Sequence, residues 1–184
     1  MIATHYPILQ VVIPLIAAPL CSLLPKSRLP WLFATLVSWI AFAIAISLLL
    51  QVRASGPLSY ELGSWPAPWG IQYHIDLISA FVLVLITSIA SITLLASRQL
   101  VENEIDSSKH SLFYTAFLLC FTGLLGIVAT GDAFNVFVFL EISSLSSYAM
   151  IAMGDNRKAL TASYEYLILG TIGANYIIMG IGLL

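Results

Sequence analysis

Polar and apolar positions divide the chain into six long hydrophobic runs, at 6–24, 31–51, 75–97, 112–130, 133–153 and 160–184. At 1.5 Å per residue, about 20 apolar residues cross the roughly 30 Å hydrocarbon core of a bilayer, and each run has that length. The runs are too long, and alternate too little, for membrane-spanning strands. The pattern predicts an all-α membrane protein, a single transmembrane domain over residues 1–184 with about six helices at those bounds. A short PKSRLP turn joins the first two runs, and a tight TGDAFN turn joins the fourth and fifth. The long connection, 52–74, holds glycines, prolines and the pair Trp65 and Trp69, which suggests a turn or hairpin lying at the membrane interface.

Composition removes the soluble alternative. Of 184 residues 60% are hydrophobic and 9% charged, and the mean hydropathy is +0.98. No soluble domain of this size has interior enough to hide that surface. A net charge of −2 gives no reason to expect nucleic acid. The two cysteines, Cys21 and Cys120, have no metal-ligand spacing and read as small buried hydrophobes. His74 and His110 read as water-facing residues at helix starts. Walker loop, CxxC, HExxH and nucleophile-elbow patterns are absent, so neither a cofactor, a metal nor covalent catalysis is expected. The N-terminal run has no basic segment before it and no small-residue cleavage site after it, so it is expected to be a retained helix.

Basic residues set the expected orientation. Lys26, Arg28, Arg98, Lys109, Arg157 and Lys158 fall in connections on one side, and Arg53 alone on the other. The positive-inside rule then puts the N-terminus, the tryptophan loop, the TGD turn and Leu184 outside a cell membrane, plasma or inner.

One carboxylate stands out. Glu141 lies near the middle of the fifth run, where an ionisable group is costly and needs a proton, a partner or a water-filled cavity. Ser144, Leu145 and Tyr148 follow it on the same helix face at i+3, i+4 and i+7. Hydroxyls beside an ionisable group can conduct a proton or orient water. Apolar surroundings favour the protonated carboxyl and a nearby cation displaces that proton, so such a group can load and release it. The Glu141–Ser144–Tyr148 row is therefore the candidate proton or ion pathway. Asp132 and Asp76 stand at helix heads, as caps or as points of ion entry. Glu165, in the sixth run, either reaches the interface or pairs with Arg157 or Lys158, or else serves an inner mouth. Gly170 and Ala174 form a small-xxx-small contact, with Asn175 beside it as an interhelical hydrogen-bonder.

TGDAFNVFVFLEISSLSSYAMIA resembles the fifth helix of the antiporter-like membrane subunits of Mrp-type cation/proton antiporters, NADH:quinone oxidoreductase (complex I) and membrane-bound hydrogenases. LGSWPAPWGI followed by YHIDLIS resembles the D-type Mrp subunit in particular, and GDNRKALTASYEYLILGTIGANYIIMGIGLL is similar to the family's sixth helix. The resemblance implies that Glu141 matches a glutamate paired with a lysine on a seventh helix. It also implies a fold of about fourteen helices with two inverted five-helix repeats. The chain departs in stopping after six helices and in having no Lys or Arg within a predicted span. A partner chain is then expected to supply the lysine-bearing helix and second repeat, in a membrane complex that handles protons and Na+ within the lipid bilayer. Glu165 is a further departure, standing where the family more often has a basic residue. The resemblance implies a monovalent cation/proton antiporter subunit. The alternatives are a proton-translocating membrane subunit of a redox complex, without a redox centre of its own, and a truncated scaffold that transports nothing.

Overall fold

A computed structural model describes residues 5–25, 28–65 and 70–183. Lys26, Trp69 and Leu184, which entered the charge, interface and topology arguments, lie outside the described residues. Six helices run up and down: α1 (Tyr6–Ser22), α2 (Leu29–Ser55), α3 (Leu77–Glu104), α4 (His110–Ala129), α5 (Ala133–Ala152) and α6 (Arg157–Gly182). Strands β1 (Leu58–Glu61) and β2 (Gln72–Ile75) form an antiparallel hairpin between α2 and α3, with Leu58 opposite Ile75 and Glu61 opposite Gln72.

The helix limits follow from local chemistry. Proline stands in the first turn of α1 and of α2, where its missing N–H costs nothing. Gly56 ends α2 with φ +85°, a conformation that side chains disfavour. Asp76 and Asp132 cap α3 and α5 by accepting from the main-chain N–H of Ser79 (2.7 Å) and Asn135 (2.8 Å). Asn156 does the same for α6 through Lys158 (3.1 Å).

Among the described residues five helices, α2–α6, are long and apolar enough to cross a membrane. The first, α1, has 17 residues and packs along α4 and α2. α3 continues to Glu104, beyond the end of its apolar run at 97. Hydropathy ends there but helix formation does not, because Arg98, Gln99, Leu100 and Glu102 are good helix formers. Arg98 therefore lies in a helix and not in a loop. Its Nε donates to Glu102 Oε1 one turn on (3.0 Å), and its guanidinium lies 5.2 Å from the Trp31 ring centroid. The Trp31 indole N–H donates to the Leu94 carbonyl (2.8 Å) and pins the start of α2 to the second half of α3. Arg53, Arg157 and Lys158 also stand in terminal turns of helices. His110 opens α4, whereas His74 belongs to β2, because the chain stays extended up to the Asp76 cap.

α4 is the hub. It packs along α1 on one side and α5 on another, and half of its spanning window is buried. α2 lies against α1 and α3. One core cluster joins Val11, Leu48, Tyr73, Ile75, Leu83, Phe121 and Leu125 below the hairpin. A second, at the opposite end, joins Ala18, Cys21, Val37, Leu94, Tyr114 and Leu118. α6 leans chiefly on α5 and leaves most of its surface open, with Ala174 as its one buried residue.

Candidate functional site

The head of α5 is fixed by the hairpin. Tyr73 of β2 forms an antiparallel bridge with Thr130, and the Gly131 N–H donates to the Gln72 carbonyl (2.9 Å). A side chain at Gly131 would meet the Cβ of His74 at 3.2 Å, so glycine permits the strand to come this close. The Thr130 hydroxyl accepts from Asn135 Nδ2 (3.0 Å) and from the Asp132 N–H (3.3 Å), which closes the turn around the cap.

One face of α5 is given over to α4. Phe139, Ser143 and Ser147 recur every four residues and meet Gly126, Gly123 and Cys120. A Cβ on Gly126 would enter the Phe139 ring, and one on Gly123 would come within 2.7 Å of the Ser143 main chain. Cys120 Sγ lies 3.3 Å from Ser147 Oγ and 3.6 Å from Ser143 Oγ. Cys120 is thus a polar contact between helices and not only a small hydrophobe. Ser146 and Ser147 return their hydroxyls to α5 carbonyls (2.6 and 2.9 Å), and Ser147 Oγ also meets Cys120.

Glu141 stands eight residues below Ala133, about 12 Å along the axis. Its position on the 3.6-residue repeat turns it away from the Phe139–Ser143–Ser147 face. It is half-buried and makes no hydrogen bond or ion pair with any described residue. Ser144 and Tyr148 share its side of the helix, but no hydrogen bond joins the three. Tyr148 instead packs on α6, against Gly170 and 6.4 Å from the Tyr166 ring centroid. Its carbonyl accepts from the Ser163 hydroxyl (2.8 Å). Gly170 therefore receives the tyrosine ring of α5. The row is one flank of α5 beside α6, with a carboxylate available to whatever else approaches it.

The other candidates are dispersed. Asp132 is engaged as the cap of α5, and Asp76 as that of α3. The Ser79 N–H and hydroxyl, with a smaller contribution from His74, hold the Asp76 carboxyl below the ordinary carboxylate range. Glu165 is exposed and does not pair with Arg157 or Lys158. Those residues stand eight and seven positions back, more than the one turn that such a pair spans on a helix. Asn175 is exposed and has no interhelical hydrogen bond among the described residues, since α6 meets only α5 there in any depth. A cavity of about 740 Å³ opens between the ends of α3 and α5 and the start of α4, lined among others by Glu104, Asp155, Phe113 and Met150. Glu141 is not in its wall.

An up-and-down bundle of long apolar helices defines a class, the polytopic helical membrane proteins. No protein-family model matches the chain. NADH-quinone oxidoreductase subunit N of Desulforudis audaxviator is 40% identical over 98% of the chain, and the D-type Na(+)/H(+) antiporter subunit of Bacillus subtilis is 29% identical over the same share. The chain spans about a third of the length of these curated relatives, 36% in both cases. Among solved structures, the archaeal membrane-bound sulfane sulfur reductase superposes with a TM-score of 0.88 at 31% identity, over 96% of this chain and 36% of that one. The Mrp complex from Dietzia sp. superposes at 0.86 and 21% identity, over 100% of this chain and 34% of that one, which supports the fold alone. The chain is a homologue of the antiporter-like membrane subunits, matching the N-terminal part of larger proteins, and is a multi-pass protein of the cell membrane.

Proposed function

We propose that this chain is part of a multisubunit monovalent cation/proton antiporter and that Glu141 carries a proton through it. The supporting observation is that Glu141 sits unpaired at mid-span, on the flank of α5 beside the sparsely covered α6. A carboxylate at mid-span is costly unless a proton, a cationic partner or water accompanies it. The cation, a lysine or arginine, comes from outside these 184 residues. Ser144 and Tyr148 line the approach to Glu141, with water joining them where no direct hydrogen bond does. Asp132 and Asp76 flank the end where ions enter, and Glu165 stands near the other mouth. Residues 1–184 act as one transmembrane unit, with the N-terminus and the 52–74 loop outside and the basic connections in the cytoplasm. Na+ is the exchanged cation in this reading.

A second reading has its own support. The relative at 40% identity is an NADH-quinone oxidoreductase subunit, and the neighbour at 31% belongs to an archaeal respiratory complex. There Glu141 carries protons driven by electron transfer elsewhere in the complex. Everted vesicles holding the native complex separate the two. Glu141→Gln keeps size and removes the titratable group. Under the first reading, added Na+ moves protons in wild type and not in Glu141→Gln at equal protein. Proton movement driven by an electron donor but not by Na+, and lost in the variant, supports the second. If wild type and variant behave alike, Glu141 is structural and the chain is a scaffold.

A further inference from the structure

Among the described residues, the buried side chain without a hydrogen-bond partner lies in α1, away from Glu141. Gln10 is fully buried, at 0% exposure, and neither its Oε1 nor its Nε2 has a hydrogen-bond partner among the described residues. Pro14 follows four residues later and is equally buried. Proline has no N–H, so the Gln10 carbonyl also lacks the donor that every interior residue of a helix normally receives. One turn of α1 thus carries a side-chain amide without partners beside a main-chain carbonyl deprived of its usual i+4 donor. The next residue, Val11, belongs to the apolar cluster that includes Leu48, Leu83, Phe121 and Leu125. Leaving amide groups dry in such surroundings carries their full desolvation penalty.

We infer that the Gln10–Pro14 turn binds one or two internal water molecules, held by the Gln10 side-chain amide and by the main-chain carbonyl that Pro14 leaves free. Water fits the group's chemistry, since it accepts from Nε2 and donates to Oε1 and to the carbonyl. Internal waters typically make about three hydrogen bonds. Lipid and partner chains are shut out by the zero exposure. Gln10 lies on α1 and Glu141 on the flank of α5 turned from the α4 seam, although Phe139 of α5 does join the cluster of Val11. Phe121 and Leu125 of α4 belong to the same cluster as Val11, on the side of α4 turned from Gly123 and Gly126, where α5 packs. The water lets a proline-interrupted helix stay inside the core without an orphaned carbonyl.

The test is a density map of the intact complex at a resolution that shows ordered water elsewhere in it. In wild type, a peak is expected within about 2.7–3.2 Å of Gln10 Nε2 or Oε1. Gln10→Leu, similar in size but without polar atoms, should lose that peak. Gln10→Met serves the same purpose if the leucine variant fails to assemble. A Gln10 amide bonded directly to a protein atom, or a dry site in a map that resolves other waters, overturns the inference. So does a peak that persists unchanged in the apolar variant. None of these outcomes depends on ion transport, so the fate of the Glu141 reading leaves the inference standing or falling by itself.

Discussion

Gly126→Ala separates the two effects that a methyl group has inside a membrane bundle. Alanine favours helix over glycine by about 0.5–1 kcal/mol, an effect that should appear wherever space allows. At Gly126 there is no space, because the new Cβ would enter the Phe139 ring. Phe139 is 7% exposed and cannot swing into solvent, so α4 and α5 must part or the ring must leave its rotamer. Overpacking of this kind costs about 1–3 kcal/mol. The expected balance is a net loss of about 0–2.5 kcal/mol, a factor of up to roughly 60 in the folding equilibrium, and a loss of about 1–3 kcal/mol relative to an unobstructed glycine-to-alanine change. Gly173 on α6 is the control, with nothing within 4 Å of its added Cβ, so alanine there should be neutral or slightly stabilising. Thermal unfolding of the detergent-solubilised protein, read by size-exclusion recovery, compares the two variants. Phe139→Leu in the Gly126→Ala background should return part of the loss, since a smaller side chain relieves the contact. If Gly126→Ala is as stable as Gly173→Ala, α4 and α5 do not meet through this glycine seam and the reasoning fails.

Two further outcomes follow from the helix caps and the charge distribution. Asp76 has its carboxyl held low in the folded state, so its contribution is full above the ordinary carboxylate range and is lost as pH falls through the lowered value. Thermal stability of wild type should therefore drop below that of Asp76→Asn at acid pH, since asparagine caps without titrating; parallel curves from about pH 7 to pH 3 would contradict this. With Cys21 and Cys120 replaced by alanine, single cysteines at Ser55 and Ser107 report orientation. An impermeant thiol reagent should label Ser55→Cys in intact cells and Ser107→Cys only in everted vesicles, and the reverse pattern would invert the topology.

Legibility in the sequence varied with the range of the interaction. The limits of α5 were readable because Asp132 announces a cap and the apolar run begins at once after it. The end of α3 was not, because charged residues that end a hydrophobic run are often good helix formers, and Arg98 and Glu102 join within one turn. The pairing of Cys120 with Ser143 and Ser147 spans more than twenty positions and leaves no local trace. The same holds for Gln10, whose lack of partners emerges only when α1 is enclosed by its neighbours. The expected interhelical bond of Asn175, and the pairing of Glu165 with Arg157 or Lys158 that was one of its readings, do not form, for the opposite reason. Each residue type suggested a bond, but α6 offers no side chain at the needed distance. The isolation of Glu141 could be suspected from hydropathy, but its placement opposite the α4 seam needed the geometry of Phe139, Ser143 and Ser147.

The bridge between Tyr73 and Thr130 also bears on how the protein is made. Chains emerge from the ribosome N-terminus first, so the residues of the hairpin between α2 and α3 are made before those of α5. When the turn after α4 arrives, Gln72 and Tyr73 offer a strand edge to which Thr130 and Gly131 attach. The strand is thus a template laid down early that sets the height and starting angle of a later helix. A lesion in the hairpin would leave the early helices to insert normally and would show itself as a late error, with the carboxylate of α5 delivered to the wrong depth.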